Sequence, residues 1–161
     1  MNTVQLSNLD ARLTFLALRY HLVRPGAELD PETKQPLAHG LREVAAALEP
    51  QLDKAVAEIE LSGVQHQLLV AALAGTLNEL KSHTLLVAGG GSSSPGFEST
   101  LRRLFPEVAN EPDEATQLAG HAMALRRRLE GVTSAAPSEA VSGTPRSWWR
   151  FWRRGEDGRA G

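Results

Sequence analysis

Cysteine is absent from this chain of 161 residues. That absence excludes disulfide bonds, thiolate zinc sites and cysteine nucleophiles, and it is consistent with a reducing compartment. The residues after Met1 also lack the basic region, apolar core and small-residue cleavage site of a secretory signal. We therefore expect a cytoplasmic protein, either free or peripheral on the inner face of the membrane.

A large net charge and a long apolar run are missing as well. The formal charge of −2 is too small to indicate a polyanionic or polycationic partner for the whole molecule. The longest apolar stretch, from Leu68 to Leu77, is well short of the ~18–20 residues that a membrane-spanning helix needs. Because almost every residue of this stretch is apolar, we interpret it as the middle of a central helix, residues 64–88, that other elements cover on every side. Gly75 within it predicts the close approach of another backbone.

Apolar residues that recur every three or four positions predict helices on both sides of this central helix. The first covers about residues 8–24, with Ser7 or Asn8 as its N-cap and Pro25-Gly26 as its end. The last begins at Pro112, with acidic residues in its first turn, and ends at Gly131.

A second helix is expected to begin near Pro36 and to keep its apolar register past Pro50. Two interpretations stay open, one helix kinked at Pro50 or two helices joined there. Ser62-Gly63 is expected to end this element, because Gly63 suits a left-handed C-terminal position. No alternation of β-branched residues predicts a strand.

The predicted fold is all-α, a four-helix bundle over residues 1–132 whose second helix is kinked or broken at Pro50. The glycine- and serine-rich residues 89–96 are expected to form a loop, followed by two short turns over 98–105. Residues 133–146 have the composition of a disordered linker. Residues 147–161 form a short Trp/Arg-rich, amphipathic C-terminal tail.

The histidines are candidate metal ligands, but no Glu-x-x-His or His-x-x-x-His motif occurs. They lie off or beside the apolar stripes, so we interpret them as helix-surface residues. They are His21, His39, His66, His83 and His121. A metal or ligand site near His66, Glu79 and His83 is an alternative, but we predict no cofactor, metal ligand or catalytic residue, and hence no enzyme.

Five arginines are candidates for anion binding. Near a helix C-terminus they also oppose the negative end of the helix dipole, so a structural role competes with phosphate binding. This set comprises Arg102, Arg103, Arg126, Arg127 and Arg128.

The strongest functional signal is the stretch 147–154, which holds all three tryptophans of the chain. On a helical wheel its four aromatic rings fall between about 300° and 100°, and its three arginines between about 140° and 240°. A strand would instead mix the two kinds on one face. The rings are Trp148, Trp149, Phe151 and Trp152, and the cations are Arg150, Arg153 and Arg154. In residue content this segment resembles short Trp/Arg-rich membrane-active peptides.

The sequence therefore predicts a non-enzymatic helical adaptor that is tethered to an anionic membrane surface by its C-terminal tail. Two other interpretations of the segment are that it docks on a partner protein or that it docks on its own bundle. Self-association would multiply the tails and strengthen attachment. The alternative function is nucleic-acid binding through the five arginines and the tail.

Overall fold

A computed structural model describes residues 1–24, 39–87, 95–108 and 111–134. The predictions for residues 25–38, for most of the glycine–serine loop, for the linker beyond Ser134 and for the tail lie outside these ranges. The described residues are mostly helical, as predicted, and they also contain one small sheet. The helices are α1 (Asn8–Val23), α2 (Leu41–Leu48), α3 (Gly63–Val87), α4 (Pro95–Leu104) and α5 (Pro112–Ser134), and the strands are β1 (Asn2–Ser7) and β2 (Val56–Leu61).

The first helix is confirmed, and so is one of its two expected caps. The Ser7 hydroxyl accepts a hydrogen bond from the backbone N–H of Asp10, at 3.2 Å between nitrogen and oxygen. The Asp10 carboxylate lies in the first turn, where the positive end of the helix dipole stabilises it. The helix ends at Val23, with Arg24 as its C-cap, one residue before the predicted Pro25-Gly26 stop.

The helix surrounded by the others is α1, whereas the sequence predicted that it would be α3. Every residue from Leu13 to Leu18 is buried, and α2, α3, α4 and α5 all pack against α1. In α3, by contrast, Ala71 and Asn78 are exposed and Leu68 is half-buried. The uniform composition of α3 misled the prediction because small apolar residues such as alanine are tolerated on an exposed helix face.

The predicted second helix is wrong beyond Leu48. There α2 gives way to a single 3-10 turn, Glu49–Gln51, with Pro50 at its start. Pro50 cannot donate a backbone hydrogen bond, so the chain leaves the helix. It then enters β2, which alternates buried and exposed residues as a half-buried strand does. The side chains of Ala57, Ile59 and Leu61 are buried, while Glu58 and Glu60 are exposed.

The sheet joins the N-terminal residues to the middle of the chain, which the sequence analysis did not predict. β1 and β2 pair antiparallel in a register that sets Val4 opposite Ile59 and Gln5 opposite Glu58. Leu6 lies on the same face as Val4 and is buried. The core-facing side of this two-stranded sheet completes the apolar core beside α1 and α2.

The start of α3 is a capping box, and this corrects the interpretation of Ser62-Gly63 as a helix end. The backbone N–H of Gln65 donates to the Ser62 hydroxyl at 3.2 Å, and the backbone N–H of Ser62 donates to Gln65 Oε1 at 2.8 Å. Gly63 is the first residue of α3 and does not have a positive φ. The same Gln65 side chain donates to the carbonyl of His39 at 2.9 Å, which links α3 to the start of α2.

Helix α4 replaces the two short turns predicted before Pro106, and it runs antiparallel to α1. Near the start of α4, the Phe97 ring meets the Tyr20 ring edge-to-face, with 5.8 Å between centroids. At its end, Arg12 donates to the carbonyl of Leu104 at 3.5 Å. Helix α5 continues through Gly131 to Ser134, three residues beyond its predicted end, and packs mainly along α3.

Candidate functional site

A groove of about 360 Å³ lies between α3 and α5, and cationic side chains from both helices line it. From α3 come Lys81, Asn78 and the apolar Ala74 and Leu77. From α5 come the half-exposed Met123 and three charged residues. These three are Arg126, Arg127 and Glu130. The groove thus presents three cationic side chains and one carboxylate together with apolar side chains.

Two of these cations have no carboxylate within salt-bridge distance among the described residues. They are Lys81 and Arg127, and both are exposed. Arg126 is held by Glu130 one turn further along α5, with 2.8 Å between nitrogen and oxygen. Such exposed pairs contribute only about 0–1 kcal/mol. An incoming anion can therefore compete for Arg126 at small cost.

The five predicted anion-binding arginines do not form one patch. Arg128 reaches Asp10 at the start of α1 at 2.9 Å. Arg103 lies over the Phe15 ring, 5.4 Å from its centroid, and pairs with Glu49 at 3.3 Å.

Another of the five predicted anion-binding arginines, Arg102, forms a salt bridge with Glu98 of its own helix, at 2.6 Å between nitrogen and oxygen. Only Arg126 and Arg127 line the groove between α3 and α5. Lys81 was not among the predicted site residues, because its position between α3 and α5 depends on how two distant segments pack.

A larger groove, of about 430 Å³, lies between α1 and α2. Phe15 and Leu22 line it together with Arg19, Arg42 and Glu49. The connection between these two helices, residues 25–38, lies outside the described residues. We assign no ligand to this groove.

Two of the histidines are buried, which corrects their interpretation as helix-surface residues. His66 is 3% exposed and His83 is 1% exposed, and both face the core from α3. Neither ring nitrogen of His83 has a hydrogen-bond partner among the described residues. Within those residues no group of three His, Asp or Glu side chains is placed to hold a metal ion.

The sequence analysis also named Glu79 as part of an alternative metal or ligand site with His66 and His83. In the structure Glu79 contacts Tyr20. The Tyr20 hydroxyl donates a hydrogen bond to the Glu79 carboxylate. Burial, followed by the negative charge of Glu79, raises the pKa of Tyr20, and the neighbouring Arg24 partly opposes this effect. The Arg24 guanidinium lies 5.6 Å from the centroid of the Tyr20 ring. The contact fastens α1 to α3.

Comparison of the chain with protein-family models, curated proteins and solved structures gave no match. No helix in the described parts of the chain combines the length and the apolar composition needed to cross a membrane. The predicted membrane- or partner-binding residues, Trp148 to Arg154, lie outside those parts.

Proposed function

We propose that this protein is a non-enzymatic helical adaptor that attaches peripherally to an anionic membrane surface. In this proposal the tail inserts its aromatic rings at the boundary between headgroups and acyl chains, and its arginines bind lipid phosphates. The groove between α3 and α5 makes a second contact with the headgroups. The helical body, a bundle around α1, keeps its other faces available for partner proteins.

The observation that carries the proposal is the separation of aromatic and cationic residues within 147–154. Eight residues are too few to form a stable helix in water, but an interface can induce one by accepting the apolar face. Indole rings are favoured at the headgroup level, and arginine side chains extend from there to the phosphates.

The groove supports the proposal through its position on α5, the helix that leads to the tail. Arg127 precedes Ser134 by seven residues, which corresponds to about 10 Å along a helix. The chain between Ser134 and Trp148 spans at most about 50 Å. The tail and the groove can therefore contact one surface at the same time.

The expected binding free energies explain why the proposal includes two contacts with the membrane, one by the tail and one by the groove. A basic residue close to an anionic surface contributes about 1 kcal/mol. A single short amphipathic segment gives only marginal, reversible attachment. Lys81 and Arg127 form no salt bridge with a described carboxylate, so their contribution adds to that of the tail.

Co-sedimentation with vesicles of phosphatidylcholine containing phosphatidylserine tests the proposal. We expect the intact chain to bind these vesicles, and the chain without residues 147–161 to lose most of its binding. Changing both Lys81 and Arg127 to glutamate should weaken binding by roughly tenfold or more. Arg102→Glu is the control for a single charge reversal at Lys81 or at Arg127, because this exposed arginine of α4 lies outside the groove, and we expect little change from it.

Equal binding by the full chain and by the chain without residues 147–161 would contradict the proposal. Loss of binding on tail removal, together with full binding by the Lys81 and Arg127 variant, would restrict the contact to the tail. Salt-sensitive binding to a single-stranded oligonucleotide, stronger than binding to vesicles, would favour nucleic acid instead.

A further inference from the structure

The hydrogen bonds of Gln51 reveal which way the backbone groups of the sheet point. The backbone N–H of Glu58 donates to Gln51 Oε1 at 3.1 Å, and Gln51 Nε2 donates to the carbonyl of Glu58 at 3.0 Å. Both backbone groups of Glu58 therefore point away from β1. Because directions alternate along an antiparallel pair, Gln5, which lies opposite Glu58, also points its backbone groups outward. Thr3 is two residues from Gln5 on β1, so its backbone groups point outward as well.

The outer edge of β2 is protected. The Gln51 amide occupies the place at Glu58 where the peptide group of a third strand would bind. Glu58 and Glu60 also carry negative charge on the exposed face, so two β2 edges would set like charges against each other.

Among the described residues, nothing protects the outer edge of β1 in this way. The backbone groups of Thr3 and Gln5 form no hydrogen bond on this side with any described residue. Residues 1–7 include no charged side chain, no proline and no glycine. Edge strands usually carry charges, proline or a bulge that prevents pairing with another chain. An edge with a β-branched residue at Thr3 and another at Val4 and no such device is suited to accept a strand.

We infer that β1 pairs antiparallel with β1 of a second copy of this chain, about a two-fold axis that passes beside Val4. The result is one four-stranded sheet in the order β2, β1, β1, β2. This inference does not depend on membrane binding. A dimer would also bring two tails to one surface, which strengthens attachment without any new contact.

The register of β1 fits this symmetry without adjustment. With Val4 opposite Val4, each Thr3 lies opposite Gln5 of the other copy. Thr3 and Gln5 are the residues whose backbone groups point outward, so each such pair forms two hydrogen bonds, and the interface forms four. Val4 and Val4 of the second copy then form the close, non-hydrogen-bonded pair. Their side chains lie on the core-facing side of the sheet, where Val4 is already partly buried.

Sedimentation velocity of the full-length chain over a range of concentrations tests the inference. We expect a reversible dimer whose dissociation constant rises at least about tenfold in Thr3→Pro, because proline removes an outward N–H from each copy. No β1–β2 hydrogen bond is lost, since that N–H does not point toward β2. Thr3→Ala is the matched control and should dimerise like the unchanged chain. Thermal unfolding followed by circular dichroism checks that both variants fold.

A second measurement uses the absence of cysteine from these 161 residues. Val4→Cys places two thiols in a non-hydrogen-bonded pair with about 4.5 Å between Cα atoms, which is within reach of a disulfide. Mild oxidation should link this variant into a covalent dimer. Val56→Cys, an exposed position on β2, is the control and should remain unlinked.

Three results would overturn the inference. The first is a monomer at every concentration, with no more linkage for Val4→Cys than for Val56→Cys. The second is a dimer that Thr3→Pro leaves intact, which would place the interface elsewhere. The third is slow hydrogen exchange of the Thr3 and Gln5 amides in a monomer, which would show that another segment of the same chain covers the edge.

Discussion

The side chain of Gln51 binds both backbone groups of Glu58, and its Nε2 also donates to the carbonyl of Ala47 at 2.9 Å. One amide thus connects the end of α2 to the middle of β2. The two bonds to Glu58 show that its backbone groups point away from β1, so Gln51 covers the outer edge of β2 at this position, while no described residue covers the outer edge of β1.

Replacement of Gln51 by methionine should lower the free energy of unfolding by about 1 kcal/mol, because methionine keeps the length of the side chain but loses its three hydrogen bonds. Chemical denaturation measures the change. Gln67→Met is the control, since Gln67 is an exposed glutamine on α3, and it should have little effect. Equal stability of the two variants would show that the Gln51 contacts do not stabilise the fold.

Gly75→Ala should destabilise the protein by about 1–3 kcal/mol. An added Cβ at Gly75 would lie 2.5 Å from Cε1 of the Tyr20 ring, so the ring or α3 has to move. Gly120→Ala in α5 is the matched control, because nothing lies within 4 Å of its Cβ position. There the higher helix propensity of alanine should stabilise the protein by about 0.5–1 kcal/mol. Effects of the same sign at both glycines would contradict this packing.

The raised pKa of Tyr20 predicts how the free energy of unfolding changes at alkaline pH. Its pKa is raised above the ordinary value of 10.0, first by burial and then by Glu79. The contribution of Tyr20 to stability is therefore complete below about pH 10 and is lost as the pH rises through the higher pKa of the folded state. Tyr20 is the sole tyrosine, so tyrosinate absorbance reports it directly. Glu79→Gln should lower the midpoint of this titration, and an unchanged midpoint would contradict the contact.

His83→Leu should raise the free energy of unfolding by about 1 kcal/mol, since leucine removes two buried nitrogens that have no hydrogen-bond partner among the described residues. The control is His121→Leu, at an exposed position of α5, where we expect little change. Thermal unfolding compares the two. A large destabilisation by His83→Leu alone would show that the ring has a partner that holds it in the core.

The helices were predictable where caps and apolar spacing agree, as at Ser7 for α1 and Pro112 for α5. The sheet was not. In β2 the alternation of Ala57, Ile59 and Leu61 with glutamates extends over only six residues. Over so short a length Ile59 also fits the helical spacing that begins at Leu37, and local sequence does not show that β1 lies alongside to pair with it.

The candidate site was predictable only in part, for a related reason. Arg126 and Arg127 could be recognised as exposed cations of a helix, but their difference from Arg103 lies in tertiary contacts. Arg103 meets Glu49, which is distant in sequence, whereas Arg127 meets no described carboxylate. Lys81 could not be assigned to the groove from the sequence, because the groove forms where α3 packs against α5. The burial of His83 likewise follows from which face of α3 meets the core.

Tryptophan fluorescence during titration with vesicles tests membrane attachment most directly, because all three tryptophans lie in the tail, at positions 148, 149 and 152. We predict a shift of the emission to shorter wavelength, and quenching by brominated acyl chains, with vesicles that contain phosphatidylserine. Vesicles of phosphatidylcholine alone should produce a much smaller change. Emission that stays at the wavelength of water-exposed indole at saturating anionic lipid would contradict the account.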